Sequence, residues 1–292
     1  MGPPLWRPRL LTEVRASRYT IRGASLGGMY TSLHVPELDV LFDVGLPVRP
    51  ACAVPHLFLS HAHIDHLGAL PTLLGMRGLS GVEETLRLYL PAGLEHDLQD
   101  GLNALGRMHR WPLKVEAVPM EPGQEIVLRR DLSVRAFRTF HPVPSLGYLF
   151  FRRVDKLKAE FAHLPGAEIG RLRREGAPLF ETMEHHELAY ATDTLPSVLD
   201  HTPELFGVRT LILECTFLDD RKSVQAARAG CHIHLDELLP YAERLQNEAL
   251  VLMHFSQLYK PAEVKEILDA RWPAASRSRV IPFAPSTPLW WS

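Results

Sequence analysis

The run His61-Ala62-His63-Ile64-Asp65-His66 limits what this chain can fold into more than any other stretch. It directly follows the apolar segment HLFLS (56–60), a short buried-strand candidate. It directly precedes LGALPTLLGMRGL, whose apolar residues repeat at helical spacing and stop near Gly78. The run therefore occupies a strand-to-helix loop. In an extended loop, side chains two residues apart project to the same side, so His61 and His63 can grip one metal ion together. Asp65 and His66 open the following turn and can face a second ion. Imidazole nitrogen and carboxylate oxygen suit zinc, with manganese (Mn2+) and iron (Fe2+) as weaker options.

A two-ion site needs more donors, and strand ends supply candidates. His141 follows VRAFRTF, Asp193 follows LAYAT, and His254 lies within LVLMHF. Each comes after an apolar run, as expected if the ligands collect along one edge of layered sheets. Of the 15 histidines, His56, His96, His109, His185, His186 and His201 have no partner in view and are expected not to bind metal. Strands are expected in short pieces over 18–44, then at 56–60, 86–91, 113–120, 125–130, 132–140, 147–151, 187–193, 209–215 and 249–255. Helices are expected at 67–79, 92–107, 235–246 and 261–271. This order fits an α/β chain of β-sheets with outer helices. Residues 152–186 break the rhythm: they are charged, contain several glycines and show no core-strand pattern.

Formal net charge is −2, so no global positive field advertises a nucleic-acid partner, although a local basic patch suffices for one. Cys52, Cys215 and Cys231 are odd in number and form no CxxC pair, which points to a reducing, cytoplasmic setting. No stretch reaches the roughly 18–20 apolar residues of a membrane span, and the N-terminal MGPPLWRPRLLTEVRASRY lacks a signal-peptide run.

Taken in order, HxHxDH, FHPVPSLGY, ATDT and HFS resemble the motif series of the metallo-β-lactamase superfamily. Within it the likeness is greatest to the tRNase Z (ribonuclease Z) family, especially its short form. The likeness runs from about residue 19 to 260 and includes YTIRGASLGG, FDVG, LSHAHIDHLGALP, KLKAEF, LECTFLDD, HIHLDEL and HFSQLY. The resemblance implies a single αββα four-layer sandwich over residues 1–292. It places His61, His63 and His141 on a first zinc and Asp65, His66 and His254 on a second, with Asp193 bridging, two Zn2+ per chain. Such an ion pair can activate a water and clamp the oxygens of a phosphodiester. The resemblance also gives Asp65 a share in orienting or deprotonating that water. It makes Glu214 and His232 a carboxylate–imidazole pair in which His232 protonates the leaving oxygen. His234, two residues on, is the alternative donor.

The same resemblance implies cleavage of precursor tRNA just after the discriminator base, a homodimer, and an RNA-gripping arm at residues 152–178. That segment carries Arg152, Arg153, Lys156, Lys158, Arg171, Arg173 and Arg174 against Asp155, Glu160, Glu168 and Glu175, a local basic excess that suits phosphate. Two positions depart from the family. Leu258 stands where an arginine is usual, and Thr192 stands where glycine is usual, which is expected to crowd the metal pocket. A second reading therefore keeps the metal site and exchanges the substrate for a small-molecule ester, thioester or lactone. A third, a binding module with a structural metal, leaves Glu214 and His232 without a purpose.

Overall fold

A computed structural model describes residues 11–290; most of the stretch read above for a signal segment lies outside these residues. Seven strands form one sheet in chain order: β1 (Thr12–Ala16), β2 (Tyr19–Leu26), β3 (Tyr30–Val35), β4 (Val40–Phe42), β5 (His56–Phe58), β6 (Arg87–Pro91) and β7 (Glu116–Met120). Seven more form a second: β8 (Glu125–Arg129), β9 (Leu132–Arg138), β10 (Leu146–Leu157), β11 (Phe180–Ala191), β12 (Thr210–Glu214), β13 (Ala249–Met253) and β14 (Val280–Pro282). The helices are α1 (Ile64–Leu67), α2 (Leu70–Leu79), α3 (Glu95–His109), α4 (Gly166–Arg174), α5 (Val198–His201), α6 (Val224–Ala229), α7 (Leu235–Leu238), α8 (Pro261–Arg271) and α9 (Ala274–Arg277). Among the described residues no helix is long and apolar enough to cross a membrane.

The parallel strands are apolar on both faces because both faces are covered. In β12, Leu211 and Leu213 pack outward under helices, while Ile212 points at the other sheet. In β5, Leu57 faces α2 and Phe58 faces inward. The layers are therefore helix, sheet, sheet, helix. Aromatic rings fill the space between the sheets: Phe42 stacks on Tyr190 at 4.5 Å, Phe58 stacks on Tyr89 at 4.5 Å, and Phe150 meets Phe42 edge-on at 5.5 Å. Truncating one such buried ring to alanine costs about 3–5 kcal/mol.

Strands β4 to β7 run parallel, as do β11 to β14. Polar residues interrupt the apolar pattern where β4, β5, β11, β12 and β13 end, and those carboxyl ends lie at one edge of the sandwich. Open α/β sheets bind ligands beyond the carboxyl ends of their strands. The fold thus fixes where chemistry can occur.

Several elements differ from the sequence expectation. Strands β10 and β11 run on past 151 and begin before 187, pairing from Phe151↔His186 to Leu157↔Phe180 beyond a bulge at Phe150. Strand β9 stops pairing at Phe151↔Ser133, so the rest is a two-stranded ribbon ending in α4, which buries no residue. With both faces open, the ribbon has no alternation to read. The helix expected at 235–246 ends at Leu238 and tightens into a single 3-10 turn, Leu239–Tyr241, because Pro240 has no N–H to continue it. Strands β1 and β14 and helix α6 carried too little pattern to be foreseen.

Candidate metal centre

Residues Ser60 and His61 emerge directly from β5. The Ser60 hydroxyl donates to Asp43 Oδ2 at 2.8 Å, and the Ser60 amide donates to Asp43 Oδ1 at 2.7 Å. With its hydrogen so used, Ser60 Oγ can only accept from His61 Nδ1, 3.0 Å away. That tautomer leaves His61 Nε2 as a bare lone pair. His61 Nε2 lies 3.0 Å from His63 Nδ1, and His63 Nδ1 lies 3.2 Å from His141 Nε2. Asp193 Oδ2 completes the group, 3.7 Å from His61 Nε2. For metal–nitrogen bonds of about 2.0–2.1 Å, two donors of a tetrahedron sit about 3.3 Å apart. The group has the spacing of four ligands around one ion.

A second group adjoins it through the other oxygen of the same carboxylate. Asp193 Oδ1 is 3.4 Å from both His66 Nε2 and His254 Nε2, and Asp65 Oδ2 is 3.6 Å from His66 Nε2. Both imidazoles are held from behind. His66 Nδ1 donates to Asp43 Oδ2 at 2.7 Å. The Thr216 hydroxyl donates to Glu214 Oε2 at 2.5 Å and so accepts from His254 Nδ1 at 3.0 Å. The facing atoms, His66 Nε2 and His254 Nε2, are buried without a hydrogen-bond partner. Buried nitrogens that aim at a carboxylate and bond to nothing fit a pair of divalent ions.

The backbone contributes too. Asp43, Asp193 and His254 stand at strand ends with φ of 53°, 47° and 61°, left-handed values that non-glycine residues seldom adopt. Each turn sends the chain away and leaves the side chain at the sheet edge. Gly45 supplies room: a Cβ there would lie 1.7 Å from the Asp65 carbonyl oxygen.

Charge follows the same geometry. Burial, with His66 beside it, pushes His61 down to about 2, and burial lowers His141 and His254. Each is pushed toward its neutral form, the form a ligand must take. Burial alone would lower His66, but Asp193 and Asp43 outweigh it and hold the ring up at about 9. A cation at Nε2 would take the place of that proton. Burial likewise opposes the charge on Asp193, yet His254, His66 and His61 hold its carboxyl well below the usual range.

Glu214, at the end of β12, joins the elements around the site. Oε1 accepts from the Thr194 amide at 2.7 Å and lies 3.2 Å from His232 Nδ1; Oε2 accepts from Thr216 and from the Ile233 amide. The His232 ring stacks on His254 at 5.3 Å and lies 5.8 Å from His141. Burial would lower His232, but Glu214 prevails and raises it to about 9. His234 faces elsewhere, its Nδ1 capping α7 at the Asp236 amide and its Nε2 bonding the Asp219 carbonyl.

The structure thus brings His61, His63, Asp65, His66, His141, Asp193, His254, Glu214 and His232 into one cluster. Sequence reasoning did not single out Asp43 or Thr216, which orient His66 and His254. The signals available for Asp43 were its place in the family-like FDVG and an acid ending the apolar run VLF. Thr192 is buried, and its hydroxyl donates to Asp193 Oδ1 at 2.7 Å. Beside exposed Leu258 stands Arg221, which donates to the Leu258 carbonyl at 3.0 Å and stacks 4.4 Å over Tyr259, its charge met by Asp219 and Glu263.

Residues 41–255 match the beta-lactamase superfamily domain. Over 254 residues the chain is 35% identical to tRNase Z TRZ1 of Arabidopsis thaliana, covering 86% of this chain and 90% of that protein. The chain belongs to the tRNase Z family. A ribonuclease Z of the archaeon Halorubrum lacusprofundi is 30% identical over 227 residues, 70% of this chain and 71% of its own. The fold is also that of human tRNase Z, short form, at 17% identity and a TM-score of 0.56 over 95% of this chain and 97% of that one. The metallo-beta-lactamase fold protein YhfI of Bacillus subtilis aligns equally well, with 16% identity and a TM-score of 0.56 over 94% and 96%.

Proposed function

We propose that this chain is a zinc-dependent phosphodiesterase that cuts precursor tRNA just after the discriminator base. The observation that carries the reading is the division of Asp193 between two donor groups, Oδ2 toward His61 and Oδ1 toward His66 and His254. His61, His63, His141 and Asp193 would hold one ion, and Asp65, His66, His254 and Asp193 the other. When bound, the ions supply water activation and neutralise the phosphate charge. The relatives' name, tRNase Z, supports tRNA as the substrate.

The protein's own residues carry the proton traffic. Asp65, part-exposed at the start of α1, is the carboxylate that can orient the attacking water and accept its proton. Glu214 holds His232 Nδ1, which leaves Nε2 as the atom that delivers a proton to the leaving oxygen. Arg171, at the ribbon tip, is neutralised by Glu168 and Glu175, whereas Lys156, Lys158 and Arg174 form no ion pair among the described residues and support an RNA-gripping role for 152–178. Exposed Leu79, Leu105 and Met108 on α2 and α3 support a homodimer. Three free cysteines suit a reducing, cytoplasmic setting.

Leu258 at the family's arginine position favours one other reading, a small-molecule ester substrate at the same site. The test is to give zinc-loaded protein a 3′-extended precursor tRNA and bis(p-nitrophenyl) phosphate. The tRNA reading expects both to be cut, and His63→Ala to lose bound metal and both activities. Cleavage of the small ester alone removes tRNA as the substrate. Unchanged metal content in His63→Ala removes the two-ion assignment.

A further inference from the structure

A cleft of about 520 Å3 opens beside His141, between the end of β6 in one sheet and the β9–β10 connection in the other. Pro91, Met120, Pro144 and Glu121 form its walls, and Arg138, the last residue of β9, reaches into it. The Arg138 guanidinium is exposed and lies 5.2 Å over the Phe140 ring. It has no carboxylate partner among the described residues. The other arginines of β9 and β10 are all committed: Arg135 and Arg153 to Glu125 and Glu184, Arg152 to Asp131. An unpaired guanidinium three residues from a metal-site histidine, on the wall of a cleft that includes that histidine, is placed to receive an anion.

The cleft is lined by His141 but not by Glu214 or His232, so it is separate from the wall that holds the proton donor. The leaving oxygen departs at His232. That leaves the cleft beside His141 for the product strand that keeps the phosphorus. We infer that Arg138 binds the backbone phosphate adjoining the scissile one on that strand, an inference that rests on the RNA-phosphodiesterase reading. The cation–π contact with Phe140 holds the guanidinium beside the cleft while its N–H groups stay available for bonds to phosphate oxygens.

The test uses the full chain with Arg138→Ala and Arg138→Lys. Fluorescence anisotropy with a 3′-extended precursor tRNA in chelator gives Kd across a salt series, and steady-state cleavage by zinc-loaded protein gives KM and kcat. For Arg138→Ala, Kd and KM rise about five- to tenfold, and the slope of log Kd against log salt flattens by about 0.7–0.9, the loss of one phosphate contact. Arg138→Lys keeps the slope with a smaller loss of affinity. Unchanged affinity in Arg138→Ala, or a loss of affinity with an unchanged slope, overturns the inference while wild-type cleavage of the precursor keeps the functional reading. If the wild-type protein neither binds nor cuts the precursor, the functional reading fails and the inference falls with it.

Discussion

Asp43 is the residue on which the second donor group depends. It holds His66 through Nδ1 and holds His61 through Ser60, and Tyr190 donates to it at 2.5 Å from the other sheet. Asp43→Asn keeps the shape but cannot accept in the same way at both oxygens. Metal affinity is expected to fall about 10–100-fold, as for other partners of metal-bound histidines. Competitive titration with a zinc chelator measures this, and unchanged affinity would show that His66 needs no such support. A different residue contributes to alkaline stability. Tyr19 donates to buried Glu187 at 3.0 Å, and burial with that carboxylate pushes it from 10.0 up to about 12. The fold favours the protonated phenol, so this stabilisation is whole below pH 10 and is lost as pH rises from 10 toward 12. Urea midpoints should fall more steeply across that window for the wild type than for Tyr19→Phe. Parallel slopes would remove Tyr19 from the account of alkaline unfolding. The candidate donors Asp193 and His254 were legible because a polar residue ending a doubly buried strand has few other reasons to be there. Asp43 and Thr216 were not, since a lone acid or hydroxyl beside a strand end acquires meaning only from what the fold sets against it.

At the scale of elements, the β10–β11 ribbon is the part that the core does not require. Its outer half pairs only with itself and buries little, and the Lys158 backbone amide donates to the Leu179 carbonyl at 2.9 Å where the strands close on the tip. Replacing residues 159–178 with a short glycine-containing turn should leave the melting temperature within a few degrees of wild type. Precursor-tRNA binding should weaken at least about tenfold as phosphate contacts are lost, while bis(p-nitrophenyl) phosphate is still cut. Equal losses on both substrates would make the ribbon structural. The sequence marked this segment as irregular because its strands face solvent on both sides. Strands β12 and β13, apolar on both faces, were evident from the same pattern logic.

At the scale of the whole molecule, the two sheets and their helices are built so that five parallel strands end beside one carboxylate. The exposed apolar side chains of α2 and α3 lie on the helical layer over the first sheet, and a homodimer of 33.0 kDa chains would cover them. Sedimentation should give a dimer, and Leu79→Asp with Met108→Asp should give a monomer; a monomeric wild type would contradict that assembly. The layered α/β arrangement was readable from strand and helix order, but an oligomeric surface leaves no periodic mark on a sequence. The most direct measurement is product mapping with zinc-loaded protein and a 3′-extended precursor tRNA. A single cut immediately after the discriminator base, abolished in both His63→Ala and Asp193→Ala, is the expected result. Intact precursor under conditions where bis(p-nitrophenyl) phosphate is hydrolysed would contradict it.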